Sequence, residues 1–159
     1  MPNLSNAQLT ALKNNILANP NVSAWVAGGV DNSVKDWYNQ NTVTMAWKSS
    51  FSSDDLLDAV KFPEYLARSN AERQAFDLLV TKGSFNPEKA SYRKAIADIF
   101  SGATNSTSRG AILTAMTEPA TNAEVLFGGN NVTTDTVTAL KRNWTGKITD
   151  SDVAKALRD

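Results

Sequence analysis

The chain has 159 residues, 42% of them hydrophobic and 20% charged, which suits one folded domain and excludes a disordered tail. Sixteen Lys and Arg offset sixteen Asp and Glu, so no net field draws it to nucleic acid or anionic lipid. With neither Cys nor His, it has no disulfides, no thiolate nucleophile, no His-dependent triad and few ways to ligate zinc.

No run of residues approaches the apolar length that spans a bilayer. The opening Met1-Pro2-Asn3-Leu4-Ser5-Asn6 lacks the basic and apolar regions of a secretion signal, so the expected location is the cytoplasm of the producing cell. Triplets such as Asn105-Ser106-Thr107 then serve as turns and caps, not glycan acceptors.

Helix starts are the strongest local signals. Ser5-Asn6-Ala7-Gln8 is a capping box, with Leu4 and Leu9 at the positions of a hydrophobic staple. Leu9, Leu12, Ile16 and Leu17 follow at helical spacing until Asn19-Pro20 ends the run. Val34, Trp37 and Tyr38 predict a short amphipathic helix. Thr42-Val43-Thr44-Met45-Ala46-Trp47 alternates like a strand and reads as an edge strand or an extended connector, because a single strand has nothing to pair with. Ser52 precedes Leu56, Leu57 and Val60, with Phe51 and Leu56 at staple positions.

Ser69-Asn70-Ala71-Glu72 repeats the capping box ahead of Phe76, Leu79 and Val80, and Gly83 supplies a left-handed exit. Asn86-Pro87 predicts the start of the next helix, whose apolar face is Ala95, Ile96, Ile99 and Phe100. The short link between these two helices implies an antiparallel pair. Thr107 or Ser108 caps a helix carrying Ile112, Leu113 and Met116, closed by Pro119. Thr121-Asn122-Ala123-Glu124 is a third capping box, leaving at Gly128-Gly129. Asn130 to Lys147 has no helical stripe and reads as an arm or long loop, before a last helix capped by Thr149. The expected fold is all-α: six or seven short helices in a bundle over residues 1–129, then an irregular, extended C-terminal arm over 130–159 with a short final helix.

Nothing in the pattern asks for catalysis. Asp54, Asp55 and Asp58 could present oxygens to a hard cation, but acids in a first turn also complement the helix dipole, and the other ligands of a calcium loop are missing. Asp150 and Asp152 follow Thr149 in the same way. Gly28-Gly29 and Gly128-Gly129 lack the successors of a phosphate-binding loop. No cofactor and no metal is expected. Lys141-Arg142 beside Trp144 is the densest basic–aromatic group, and its place beyond the strong stripes makes Trp144 the favoured anchor against a neighbouring chain.

Two blocks carry a resemblance. Gly83-Ser84-Phe85-Asn86-Pro87 leads into Arg93-Lys94-Ala95-Ile96-Ala97-Asp98-Ile99-Phe100, and Trp144-Thr145-Gly146-Lys147-Ile148-Thr149 precedes Asp152-Val153. Together with Ala46-Trp47-Lys48-Ser49 and the run from Ser108 to Glu124, in this order, they resemble an uncharacterised family encoded among the structural genes of tailed bacteriophages. The stretch from Val22 to Val43 departs from that pattern in being more polar. The resemblance implies a virion component and not an enzyme: a head-to-tail adaptor in the neck, forming a homo-oligomeric ring of about twelve copies. Its implied partners are the portal protein above, a tail or stopper protein below, and DNA that slides through without specific recognition; no membrane is implied. A capsid decoration or tail-completion protein is the alternative within the particle. A small intracellular helical enzyme or regulator is the alternative outside it.

Overall fold

The computed structural model describes residues 4–158. In chain order its elements are α1 (Asn6–Ala18), α2 (Ser23–Ala27), α3 (Asp31–Tyr38), β1 (Asn41–Trp47), β2 (Phe51–Ser52), α4 (Ser53–Ala59), α5 (Phe62–Leu66) and α6 (Asn70–Lys82). There follow β3 (Ser84–Phe85), α7 (Ala90–Ile99), α8 (Ser106–Ala115), β4 (Thr117–Thr121), α9 (Asn122–Phe127), β5 (Gly129–Thr134), β6 (Val137–Arg142) and α10 (Asp150–Arg158).

The fold is α/β, which corrects the all-α expectation. A four-stranded mixed sheet runs in the order β4-β1-β6-β5, and β2 pairs antiparallel with β3 as a separate ribbon. β1 lies inside the sheet, parallel to β6 with Ala46 opposite Leu140, and is therefore neither an edge strand nor a connector. Its other neighbour is β4, in the stretch where Pro119 was expected only to close a helix. The segment expected as an irregular arm supplies β5, β6 and α10. It lacked a helical stripe because it is built of strands: Val132 and Val137 pack on a core while Thr133 and Thr138, one residue along, are exposed. Asp135, at a φ of 55°, turns the two-residue connection between β5 and β6. So short a link can join only antiparallel neighbours.

Most helix starts form as their caps direct. Ser5, Ser69 and Thr121 each accept the third amide of their helix while Gln8, Glu72 and Glu124 reach back to the cap amide. Thr149 does the same with Asp152. Two starts differ. Asn86 uses its side chain to accept from the Glu88 amide in a turn, so α7 begins at Ala90 and not at Pro87. α8 begins at Ser106, ahead of either expected cap; Ser108 is buried, its hydroxyl accepting from the Lys61 amide and its own amide donating to Glu64.

The chain divides into two compact units and passes between them four times, each time within a strand of the four-stranded sheet. One unit comprises the chain up to Thr44, Pro119–Asn130 and the chain from Arg142 on; residues 130–159 are thus shared between both units. Its core gathers Leu12, Ile16, Val22, Val34, Tyr38, Ala123, Ile148, Val153 and Ala156, with α1 and α3 packed on α10. The other unit comprises Met45–Glu118 and Asn131–Lys141 and is built on Trp47, Phe51, Leu56, Phe76, Ile96, Phe100, Ile112, Leu113 and Met116. Here α4 packs on α6 and α8, and α6 on α7. Edge-on contacts between Phe76 and Phe100 (5.8 Å) and between Phe51 and Phe85 (5.7 Å) add aromatic geometry to the area buried.

Candidate interaction surface

The basic–aromatic group at the end of β6 is taken apart by the fold. Lys141 faces solvent, whereas Arg142 and Trp144 are buried. Arg142 Nη1 donates to Glu124 Oε2 at 3.0 Å, and the two side chains are 3% and 6% exposed. Glu124 is already committed, since its Oε1 accepts from the Thr121 amide at 2.9 Å as the return half of the capping box of α9. One carboxylate thus closes a helix start and neutralises a buried guanidinium. Burying both side chains makes this charge-assisted hydrogen bond stronger than one at the surface. Trp144 belongs to the core of its unit, edge-on to Phe127 with ring centroids 5.1 Å apart. Gly146, at a φ of 148°, lies against this ring, and a Cβ there would come within 3.2 Å of it. Both the backbone angle and the space call for glycine at that position.

A second arginine had no signal in the sequence. Arg93, on α7, is 3% exposed. Its Nη1 donates to the Pro87 carbonyl at 2.6 Å and its Nε to Thr134 Oγ1 at 3.0 Å, while the guanidinium carbon lies 4.9 Å from the centre of the Trp47 ring. Burial lowers its pKa. The Trp47 indole N–H donates in turn to the Val132 carbonyl at 3.2 Å. Next to these, Arg109 Nε meets Asp135 Oδ2 at 2.8 Å, and Arg109 Nη1 donates to the carbonyls of Phe100 and Gly102. Arg93 from α7, Arg109 from α8 and Trp47 from β1 therefore hold Val132, Thr134 and the turn at Asp135 in place. Periodicity could not find Arg93, because a lone basic residue on a helix reads as solvent-facing until its surroundings are known.

The acidic residues keep to helix ends. Asp54 and Asp55 occupy the first turn of α4 behind the Ser52 cap, whose hydroxyl accepts from the Asp55 amide. Among the described residues, no three His, Cys, Asp or Glu side chains come together as a metal site. Open surface grooves occur on both units. One of about 430 Å³ is lined by Leu9, Lys13, Lys155 and Ala156, and another of about 400 Å³ by Lys48, Phe51, Asp55 and Asp58. The shifted groups have local, structural causes. Burial pushes the Tyr38 phenol up to about 12, and its hydroxyl donates to Asn15 Oδ1. The hydrogen bond to Asp77 raises Tyr65, and the bonds from Ser69 lower Glu72.

Several large apolar side chains are also exposed. Phe62 and Leu66 are one helical turn apart on α5 and 55% and 65% exposed, and Leu78 on α6 is 72% exposed. β5 forms one edge of the four-stranded sheet and β4 the other. No known protein family, curated protein or solved structure matches the chain.

Proposed function

We propose that the chain is a structural component of a tailed-bacteriophage particle, acting in the neck as a head-to-tail adaptor that assembles in a ring beneath the portal. The order of motifs along the chain supports the class, through its resemblance to proteins encoded among phage structural genes. The observation that carries the reading is the exposed pair Phe62 and Leu66, with Leu78 on the neighbouring helix of the sequence. Aromatic and aliphatic side chains that a folded unit leaves in water are covered when copies or partners assemble. A ring asks for such surfaces, because its heterologous contact must close by rotation. Balanced charge suits a conduit through which DNA slides without being gripped.

Cryo-electron microscopy and quantitative mass spectrometry of purified particles test the proposal. Density for the chain in a ring next to the portal, at about a dozen copies per particle, is the expected result. Hundreds of copies spread over the head would assign a capsid decoration, copies at the distal tail a completion protein, and absence from particles would end the virion reading.

A further inference from the structure

The two edges of the four-stranded sheet differ. β4 contains Pro119, which has no N–H to offer, together with the charge of Glu118. β5, Gly129-Asn130-Asn131-Val132-Thr133-Thr134, has neither proline nor charge. Uncharged strands without such blocking devices invite pairing with another chain, and natural sheets usually guard against it.

The hairpin defines which groups face outward. Its two-residue turn sets Thr134 opposite Val137, and the Thr133 and Thr138 hydroxyls meet at 2.6 Å across the ladder in that same register. Thr134 and Val132 therefore direct their backbone groups toward β6, while Asn131 and Thr133 direct theirs to the free edge. Both of these residues are exposed. The strand is also held in place before any partner arrives, by Arg93 on Thr134 Oγ1, Trp47 on the Val132 carbonyl, and Arg109 on Asp135. Rigid edges lose little entropy on pairing.

We infer that β5 pairs with β5 of a second copy of this chain, antiparallel about a two-fold axis through Val132. With outward groups on Asn131 and Thr133, the axis brings Asn131 opposite Thr133 of the other copy and closes both N–H···O=C bonds of each such pair. The two Val132 residues meet on the axis as a β-branched cross-strand pair. A charged strand would set like charges against each other in this symmetry, and β5 has none. The contact consumes both free β5 edges and leaves only the proline-bearing β4 edges, so pairing through the sheet stops at two copies, whatever other surfaces do. The inference rests on the edge and stands independently of the virion reading.

Sedimentation equilibrium of the full chain, with hydrogen exchange of the Asn131 and Thr133 amides, tests it. The expected mass is twice 17.2 kDa, with both amides protected increasingly as concentration rises. Asn131→Lys/Thr133→Lys sets like charges directly opposite across the axis and should weaken the dimer roughly tenfold or more. Asn131→Lys/Thr133→Glu makes the same positions complementary and should restore it, which separates a lost contact from a lost fold. A monomer at every concentration would overturn the inference. So would a dimer or larger ring that is indifferent to these substitutions and leaves the two amides exchanging freely.

Discussion

Replacing Trp144 by alanine separates a packing role from a docking role. The ring is 8% exposed, sits in the core with Ile148 and Val153, and lies edge-on to Phe127. Truncating a buried tryptophan costs about 3–5 kcal/mol, from lost transfer energy and from the cavity left behind. Loss of the edge-on aromatic pair accounts for about 1 kcal/mol of that. The Trp144 indole N–H finds no acceptor among the described residues, so the substitution strands no buried hydrogen-bond partner and the cost is one of packing. Since domains are stable by about 5–15 kcal/mol, Trp144→Ala should remain folded at low temperature with its melting point lowered by on the order of 10 °C. Urea titration followed by circular dichroism at 222 nm gives the difference directly, without depending on the fluorescence of the residue removed. A midpoint within experimental error of the parent would refute the packing argument. It would return Trp144 to the role expected from its place in the sequence, an anchor offered to a neighbouring chain.

Two further outcomes follow from buried polar groups. Glu124→Gln preserves the capping box, because an amide oxygen still accepts from the Thr121 N–H, but removes one charge that Arg142 meets; the expected cost is that of a charge-assisted hydrogen bond, about 1.5–3 kcal/mol by denaturant titration, and Glu124→Ala should cost more by losing the box as well. Equal stability of the Gln variant and the parent would show that the charge does not matter there. Tyr38 ties stability to alkaline pH. Its phenol titrates near 12 when folded and near 10.0 when unfolded, so its contribution is complete below pH 10 and lost as pH rises toward 12. About 3 kcal/mol should disappear across that window. Tyr38→Phe should flatten this part of the stability profile, at the expense of the hydrogen bond to Asn15; an unchanged alkaline slope in the variant would exclude Tyr38 as its source.

Local chemistry written in a few consecutive residues determined a large part of the molecule. A helix satisfies its hydrogen bonds within four residues and its first turn with one side chain. Ser5 with Gln8, Ser69 with Glu72, Thr121 with Glu124 and Thr149 with Asp152 therefore announced their helices before any partner was known. The buried stripes behind them, such as Leu12 with Ile16 and Phe76 with Leu79, followed from the same period. The sheet was invisible to that logic. A strand's hydrogen bonds belong to whichever segment lies beside it, and Ala46 finds Leu140 from the far end of the chain. Ala139 and Leu140 are adjacent and both buried, which erases the alternation that would have marked β6.

The same division runs through the functional residues. Lys141, Arg142 and Trp144 are neighbours in sequence, but only Lys141 stays in water. Whether a charged or aromatic side chain is surface or core depends on what the fold brings to it: Glu124 for Arg142, Phe127 and Gly146 for Trp144, Trp47 and Thr134 for Arg93. Composition and spacing settled where the boxed helices begin and that no Cys or His chemistry is open to the chain. Tertiary structure alone decided which strands pair, which edge is left open and which ionic groups are buried, because those interactions join residues that the sequence holds far apart.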